Sequence, residues 1–289
     1  MFSLREANDR VCTAHRRLVA MLASAALAIA CSTPRPHDDA PLRAQGSLRV
    51  VAYNIRHGHG ADDAVDLQRV ATVLESLEPD IVLLQEVDHG CARSGSVDQA
   101  RRLGDLLNMA SAFGPFRPYD GGLYGMAALS RFPILHQTVV PLPPGPNPLS
   151  SLELRVAAPF GPCVVAGLHL VQTENQRLSQ ADFLVERYAA SADPVILAGD
   201  LNSERGSSVL KSLARAFVIP GKSGERDTFP AIAPVKEIDF VLLSRTFDWQ
   251  VSSSFTVAET LASDHRPVVL DVSLATAPPT RPPAPRLAR

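Results

Sequence analysis

Two stretches of this chain share one layout, and that repetition narrows the possible folds more than any other feature. "LRVVAYN" leads into a segment of helical periodicity and then "PDIVLLQE"; "CVVAGLH" leads into another such segment and then "DPVILAGD". In each, an apolar run ends on a polar side chain, Asn54 or His169, and a second apolar run ends on a carboxylate, Glu86 or Asp200. Glu86 follows Asn54 by 32 positions and Asp200 follows His169 by 31, which suits a strand–helix–strand unit of roughly 30 residues or more. Leu67, Val70, Ala71, Leu74 and Leu77 recur at helical spacing behind Asp66, a candidate N-cap. Leu178, Ala181, Val185 and Tyr188 do the same behind Thr173 and Gln176, which have capping-box spacing. Runs such as "IVLL" and "VILA" are apolar at every position, so both faces of those strands need cover.

Such units place their polar groups at the carboxyl ends of strands, the edge where open α/β sheets bind ligands. Asp200 and Asn202 in "GDLN" are two apart and share a side in extended chain. Alone they are as readily a turn; four polar termini in matched positions favour a site. A third region adds Asp239 at the start of "DFVLLS", and Asp264 and His265 in "SDHRPVVLDV". Those last two are adjacent and would face opposite ways in a strand, so they reach one cavity only from a bend. Asp239, Asp200, Asp264 and Glu86 in one pocket repel one another, and a hard divalent cation, Mg²⁺ or Mn²⁺, is the natural compensator for oxygen-rich ligands. A carboxylate beside a histidine fixes its tautomer and raises its basicity. The set suits activation of water against a phosphate ester.

The order "YN…QE…HL…GDLN…IDF…SDH" resembles the endonuclease/exonuclease/phosphatase superfamily over roughly residues 48–273. The resemblance implies a deoxyribonuclease-I-like α/β (α+β) fold: a four-layer αββα sandwich of two mixed β-sheets flanked by helices. It implies a hydrolase of phosphodiesters or phosphomonoesters, among relatives that include nucleases, sphingomyelinases, inositol polyphosphate phosphatases and deadenylases. By matching position, Glu86 is the main metal ligand with Asn54 beside it, and Asp264 completes the set. His265, held by Asp239, and Asp200 share the acid–base work. Asn202 and His169 hydrogen-bond the phosphoryl oxygens. "TFPAIAP…EIDFVLLS" and "YNIRHGHG" resemble a bacterial subgroup labelled metal-dependent hydrolases, which does not supply a substrate. In "YGMAALSRFPI", Met126 stands where the family has an amide; Tyr124 and Arg131 remain candidates to line the pocket, with His57 from "RHGHG". Asp88 is expected behind the site, His89 at the surface, and Trp249 in packing.

The ends read differently. Arg16 and Arg17 precede the apolar run Leu18–Ala30, 13 residues long and ending at Cys31, short for a membrane span and suited to a secretory signal. The small residues before Cys31 resemble a bacterial lipoprotein signal with that cysteine lipidated. Expected boundaries are a signal peptide at 1–31, a flexible tether at 32–47, one domain at 48–274 and a disordered Pro-rich tail at 275–289. The location expected is the cell envelope, membrane-anchored through Cys31, for a protein acting as a monomer.

The formal net charge is −2 with only three lysines, so no basic face for tight duplex binding is visible. The expected substrate is a small phosphate ester, a phospholipid head group or a nucleic acid, with a DNA or RNA nuclease as the alternative. A non-catalytic phosphate- or lipid-binding protein would require a broken residue set, and the set from Asn54 to His265 is complete. A serine hydrolase would need G-x-S-x-G, which the sequence lacks. Cys91 and Cys163 would be free to pair in an oxidising compartment if the fold brought them together.

Overall fold

The computed structural model describes residues 46–143, 149–170 and 173–275. The leader, Cys31, nearly all of the tether and nearly all of the C-terminal tail therefore lie outside the described residues. The first of two six-stranded mixed sheets contains β1 (Leu48–Asn54), β2 (Ile81–His89), β3 (Ala110–Tyr119) and β4 (Gly122–Ser130). The second contains β5 (Ile134–Pro141), β6 (Ser150–Ala158), β7 (Gly161–His169), β8 (Val195–Asp200), β9 (Phe217–Val218) and β10 (Asp239–Ser244). The chain then returns to the first sheet with β11 (Trp249–Thr256) and β12 (Val268–Leu274). The strand orders are β11-β12-β1-β2-β4-β3 and β5-β6-β7-β8-β10-β9.

Strand alternation explains the layers. Val50 and Ala52 of β1 and Leu83 of β2 share one core with Leu154, Ala166 and Leu197 of the second sheet. Their neighbours Val51, Tyr53, Val82 and Leu84 point the other way, onto helices α1 (Leu67–Ser76) and α2 (Gln99–Leu107). On the second sheet, Ala181, Leu184 and Leu210 come from α3 (Glu174–Tyr188) and α4 (Ser208–Leu213). Both faces of the central strands are covered, as all-apolar runs demand, and the result is the α/β sandwich of two mixed sheets. The helix starts follow local chemistry. Asp66 accepts from the Arg69 N–H at 2.9 Å. Thr173 and Gln176 form a reciprocal capping box.

The repeated layout becomes a parallel pair at the middle of each sheet. β1 and β2 run parallel with Asn54 opposite Gln85, and β7 and β8 run parallel with His169 opposite Asp200. The flanking pairs are antiparallel: β12 on β1, β4 on β2, β6 on β7 and β10 on β8. The β2–β4 register shifts between Leu84 and Val87, and Glu86 in that bulge has φ 58°. A bulge re-aims the side chain it contains. A buried pair joins the strands away from the site: Arg49 donates to both Asp271 carboxylate oxygens, at 2.7 and 2.8 Å.

Cys91 and Cys163 are both buried free thiols. Trp249 packs edge-to-face on Phe160 with ring centroids 5.8 Å apart, and its indole N–H donates to the Ser244 carbonyl.

Gly199 explains why the apolar run "VILA" gives way to glycine before the acid. Its φ is 146°, and a Cβ there would lie 1.9 Å from the Leu168 carbonyl oxygen. Only a bare α-carbon lets β8 approach β7 at the point where His169 and Asp200 stand side by side. Gly199→Ala should lower stability by about 1–3 kcal/mol or more, the scale of overpacking, and disturb activity with it. Urea unfolding of the variant checks this; wild-type stability would refute the steric argument.

Candidate active site

Seven of the eight polar residues singled out as the central set connect by hydrogen bonds or close ionic contacts, and the eighth joins through its neighbour. Asp200, 1% exposed at the end of β8, is the hub. Its Oδ2 accepts from Asn54 Nδ2 at 3.2 Å, and lies 3.5 Å from His169 Nε2 and 3.8 Å from His265 Nε2. Its Oδ1 accepts from the Asn202 N–H at 2.9 Å, with Asn202 in the left-handed region at φ 47°. Asn54 donates a second time, to Glu86 Oε1 at 3.1 Å, and so ties the two halves together. His265 Nδ1 is 2.9 Å from Asp239 Oδ2. Asp264 enters through Ser263, whose hydroxyl donates to the Asn54 carbonyl at 2.7 Å and lies 3.4 Å from Asp264 Oδ1.

The bend required of the "SDH" segment is present. Asp264 and His265 precede β12, and the Asp264 carbonyl accepts from the Ala231 N–H at 2.7 Å. Thr228 fixes the other partner: its hydroxyl accepts from the Ile238 and Asp239 N–H groups, both at 3.3 Å. Lys222, buried, donates to the Asp239 carbonyl at 2.8 Å and lies 3.4 Å from Glu237, which also pairs with Arg205.

Burial raises the Asp200 pKa, the facing Asp239 charge adds to it, and both histidines pull the other way; the result is about 6. Asp239 is held below its ordinary value, because the charge and hydrogen bond of His265 outweigh burial. Burial alone would lower His265. The charge and hydrogen bond of Asp239, with Asp200 and Asp264 behind them, override it and raise the pKa to about 10. His265 is thus held as a cation with Nε2 turned to Asp200, and Asp200 is held as the more basic carboxylate.

The second group of candidates separates. Tyr124 flanks the site: its ring meets Phe116 edge-on at 5.8 Å, and Phe116 lies 6.3 Å from His169. His57, in the short turn after β1 at φ 46°, is half-buried, and its Nδ1 has no hydrogen-bond partner. Burial and the Arg93 charge lower its pKa against the opposing pull of Asp88 and Glu86. Arg131 does not belong to the pocket. It is exposed beyond the far end of β4, where its N–H donates to the Asp80 carbonyl at the start of β2. Seven residues of strand separate it from Tyr124, roughly 24 Å, so the two cannot line one cavity. Met126 is wholly buried in the inter-sheet core. Asp88 is also wholly buried and holds Arg93 through both oxygens at 2.8 Å; the guanidinium lies 4.4 Å from the Tyr119 ring centroid and 5.5 Å from that of Tyr124. His89 is half-exposed and stacks on Phe113.

Sequence reasoning missed several neighbours. Arg56 Nε is 3.6 Å from Asp264 Oδ2. Phe229 packs on the His265 ring with centroids 4.8 Å apart. Both lie inside motifs already noted, "YNIR" and "TFPAIAP", and that was the available signal. For Arg93 and Lys222 there was none, since ion pairing across loops leaves no local pattern.

The donor set fits a divalent cation. Asp200, Asp239 and His265 offer atoms within 4.8 Å of one another, and Asp239 Oδ1 is buried with no hydrogen-bond partner, but a protonated His265 has no lone pair for a metal, so only the oxygen atoms of the cluster can serve as ligands. This compact group differs from the set expected from sequence, Glu86 with Asn54 and Asp264. It arises because antiparallel β8 and β10 put Asp200 directly opposite Asp239.

The family model described as Endonuclease/Exonuclease/phosphatase family matches residues 51–265. A curated relative, the uncharacterized protein YbhP of Escherichia coli (strain K12), is 28% identical over 252 residues, covering 80% of this chain and 98% of its own. Among solved structures, an endonuclease/exonuclease/phosphatase from Beutenbergia cavernae DSM 12333 is 25% identical with TM-score 0.64, over 82% of this chain and 73% of that one. A functionally unknown conserved protein from Enterococcus faecalis V583 has TM-score 0.67 at 20% identity, over 79% of this chain and all of the other. The chain belongs to the endonuclease/exonuclease/phosphatase family, a class of phosphoesterases and nucleases.

A titration follows from the His265–Asp239 contact. His265 rises from 6.5 to about 10 on folding. Its stabilisation is complete below pH 6.5 and is lost as pH climbs through 10. Asp239 falls below 3.8, so its own contribution is present above that value and lost in stronger acid. In chelator, His265→Gln should be destabilised most between about pH 4 and 6.5, with the deficit narrowing toward pH 10. Urea midpoints for both proteins across that range give the answer, and a pH-independent deficit would contradict it.

Proposed function

We propose that this protein is a divalent-metal-dependent hydrolase of phosphate esters. The carrying observation is the convergence on Asp200 Oδ2 of Asn54, His169 and His265 from three different strand ends or bends. Glu86, Asn54 and Asp264 would hold the cation, which leaves His265 for proton transfer; Mg²⁺ or Mn²⁺ suits their oxygen atoms. When bound, the cation supplies charge neutralisation at the phosphoryl oxygens and makes water more acidic.

The chain's own residues supply the rest. Asp200, the more basic carboxylate, orients the attacking water and takes its proton. His265, protonated through Asp239, presents Nε2–H to the phosphoryl group or the departing oxygen. His169 and Asn202 stand where hydrogen bonds to the phosphoryl oxygens strengthen as charge develops. Water oxygen adds to phosphorus, the ester P–O bond breaks, and a proton reaches the leaving oxygen. As part of the same reading, the leader and Cys31 support export and anchoring in the cell envelope; that rests on sequence alone.

With a generic phosphate ester and Mg²⁺, His265→Ala and Asp200→Asn should each reduce turnover at least ~100-fold, the lower scale for lost acid–base catalysis. Rates equal to wild type would remove those groups from the mechanism. Glu86→Gln should raise the metal concentration needed for half-maximal activity, and an identical metal titration would deny it the ligand role. Absence of turnover on any phosphate ester, with chelator and metal making no difference, would overturn the hydrolase reading.

A further inference from the structure

The segment between β9 and β10, residues 219–238, runs 20 residues with isolated bridges and no helix or strand of its own. Loops beyond about 12–15 residues without secondary structure are uncommon in compact domains and are usually either functional or disordered. This one is fixed at several points. Ser223 bridges to Phe255 of β11, with its N–H on the Ser254 carbonyl at 2.8 Å, and Phe229 packs on the His265 ring.

The strand that follows has an incomplete outer edge. β9 pairs only with Leu243 and Ser244, at the far end of β10 from Asp239. The Leu201 N–H donates to the Ile238 carbonyl at 2.9 Å, so in the alternating antiparallel ladder Asp239 turns its own N–H and C=O away from β8. Among the described residues no strand meets them there. Two side chains of the loop take the strand's place. The Thr228 hydroxyl accepts from the Asp239 N–H at 3.3 Å, and Lys222 Nζ donates to the Asp239 carbonyl at 2.8 Å.

Lysine is almost never buried unless it is paired, and Lys222 is 6% exposed. Its Nζ also donates to the Arg226 carbonyl at 3.2 Å, closing the turn that leads into Thr228, and lies 3.4 Å from Glu237 Oε1. An ammonium has three donors, and three acceptors surround this one. The same loop is fixed on the histidine side. The Arg266 N–H donates to the Thr228 carbonyl at 2.8 Å, and the Ala231 N–H to the Asp264 carbonyl at 2.7 Å. One loop therefore grips both members of the pair that meets at His265 Nδ1 and Asp239 Oδ2, 2.9 Å apart. Any shift of the Asp239 main chain moves that carboxylate, and a misplacement of about 1 Å can cost roughly 100-fold in rate.

Building on the hydrolase reading above, we propose that Lys222 is a positioning residue for the acid–base pair: with Thr228 it replaces an edge strand at Asp239 and sets that carboxylate against His265. Its side chain is sealed from solvent, so it acts through the Asp239 main chain and not on the ester. Its loss therefore lowers the rate of the chemical step and leaves binding of the ester nearly as it was. Glu237 keeps both of its hydrogen bonds from Arg205, at 3.0 and 3.1 Å, so replacing Lys222 leaves no buried carboxylate without a partner.

The experiment uses the purified full chain, isotope-labelled at histidine, as wild type and as Lys222→Met, Thr228→Val and Thr228→Ser. Thermal melts establish which variants fold, all are measured well below their melting temperatures, and Lys222→Gln serves where Lys222→Met does not fold. With a generic phosphate ester and Mg²⁺, Lys222→Met and Thr228→Val should each lower kcat at least ~10-fold, within the scale of a small misplacement, with KM within about threefold of wild type. Thr228→Ser, which keeps the hydroxyl, should retain the rate. In chelator, nuclear magnetic resonance reads the pair directly: the downfield proton of the His265–Asp239 hydrogen bond, identified by its loss in His265→Gln, should shift or vanish in Lys222→Met and Thr228→Val and stay in Thr228→Ser. An unmoved resonance in a folded Lys222 variant, no such resonance in the wild type, or a moved resonance with wild-type kcat would overturn the positioning role and leave the hydrolase reading standing. A moved resonance in a protein whose wild type turns over no ester would support the role of Lys222 at the pair and sink the hydrolase reading. An unmoved resonance together with no turnover would end both.

Discussion

Asp200 and Asp239 stand directly opposite each other on antiparallel β8 and β10, both about 1% exposed. Two facing carboxylates out of water repel strongly and lose hydration together. The arrangement therefore requires positive charge at short range. His265 supplies it at 2.9 Å from Asp239 and 3.8 Å from Asp200, and the orphaned Asp239 Oδ1 marks where compensation is incomplete. Placement of the "SDH" bend, the hydroxyl of Thr228 and the buried Lys222 all follow from the need to keep that imidazole and that carboxylate together. Electrostatic tension also divides the labour: one carboxylate is made the stronger proton acceptor, and the other is locked to its histidine.

The doubled architecture brings the charges together. Each half offers a parallel strand pair whose carboxyl ends carry polar side chains, Asn54 and Glu86 from one and His169 and Asp200 from the other. Asn54 spans the seam by donating to both Glu86 and Asp200. A sandwich with one core between its sheets holds those ends rigidly, and sites built on strands are more exact than sites built on loops. The local backbone is adapted to the same end: Gly199 permits β7 and β8 to touch, and the bulge at Glu86 turns its carboxylate out of the ladder alternation.

Much of this was legible from residues alone because it was local or periodic. The two strand–helix–strand units, the Asp66 cap and the Thr173–Gln176 box are patterns within a few turns of chain, and the strand-end acids were visible as interruptions of apolar runs. What stayed hidden depends on pairing between distant segments. No spacing shows that Asp239 lies opposite Asp200, so the most compact acid–histidine group could not be read as one. Arg131 was misplaced for a simpler reason. It follows Tyr124 closely in sequence, but seven extended residues carry it to the opposite end of β4. Phe229 lies inside a motif visible in the sequence, but only the fold places its ring on His265.

Chemistry and selectivity occupy different kinds of structure here. The reacting groups sit on buried strand ends, where a change of volume or charge disturbs the core as well as the site. The cleft beside them is lined from the start of α3, the 202–207 segment and the 229–238 segment, most of which is exposed or half-exposed. On the opposite side, Tyr124, Tyr119 and Arg93 form a second rim, stiffened by the buried Asp88. A family can therefore keep one hydrolytic edge and exchange its rims.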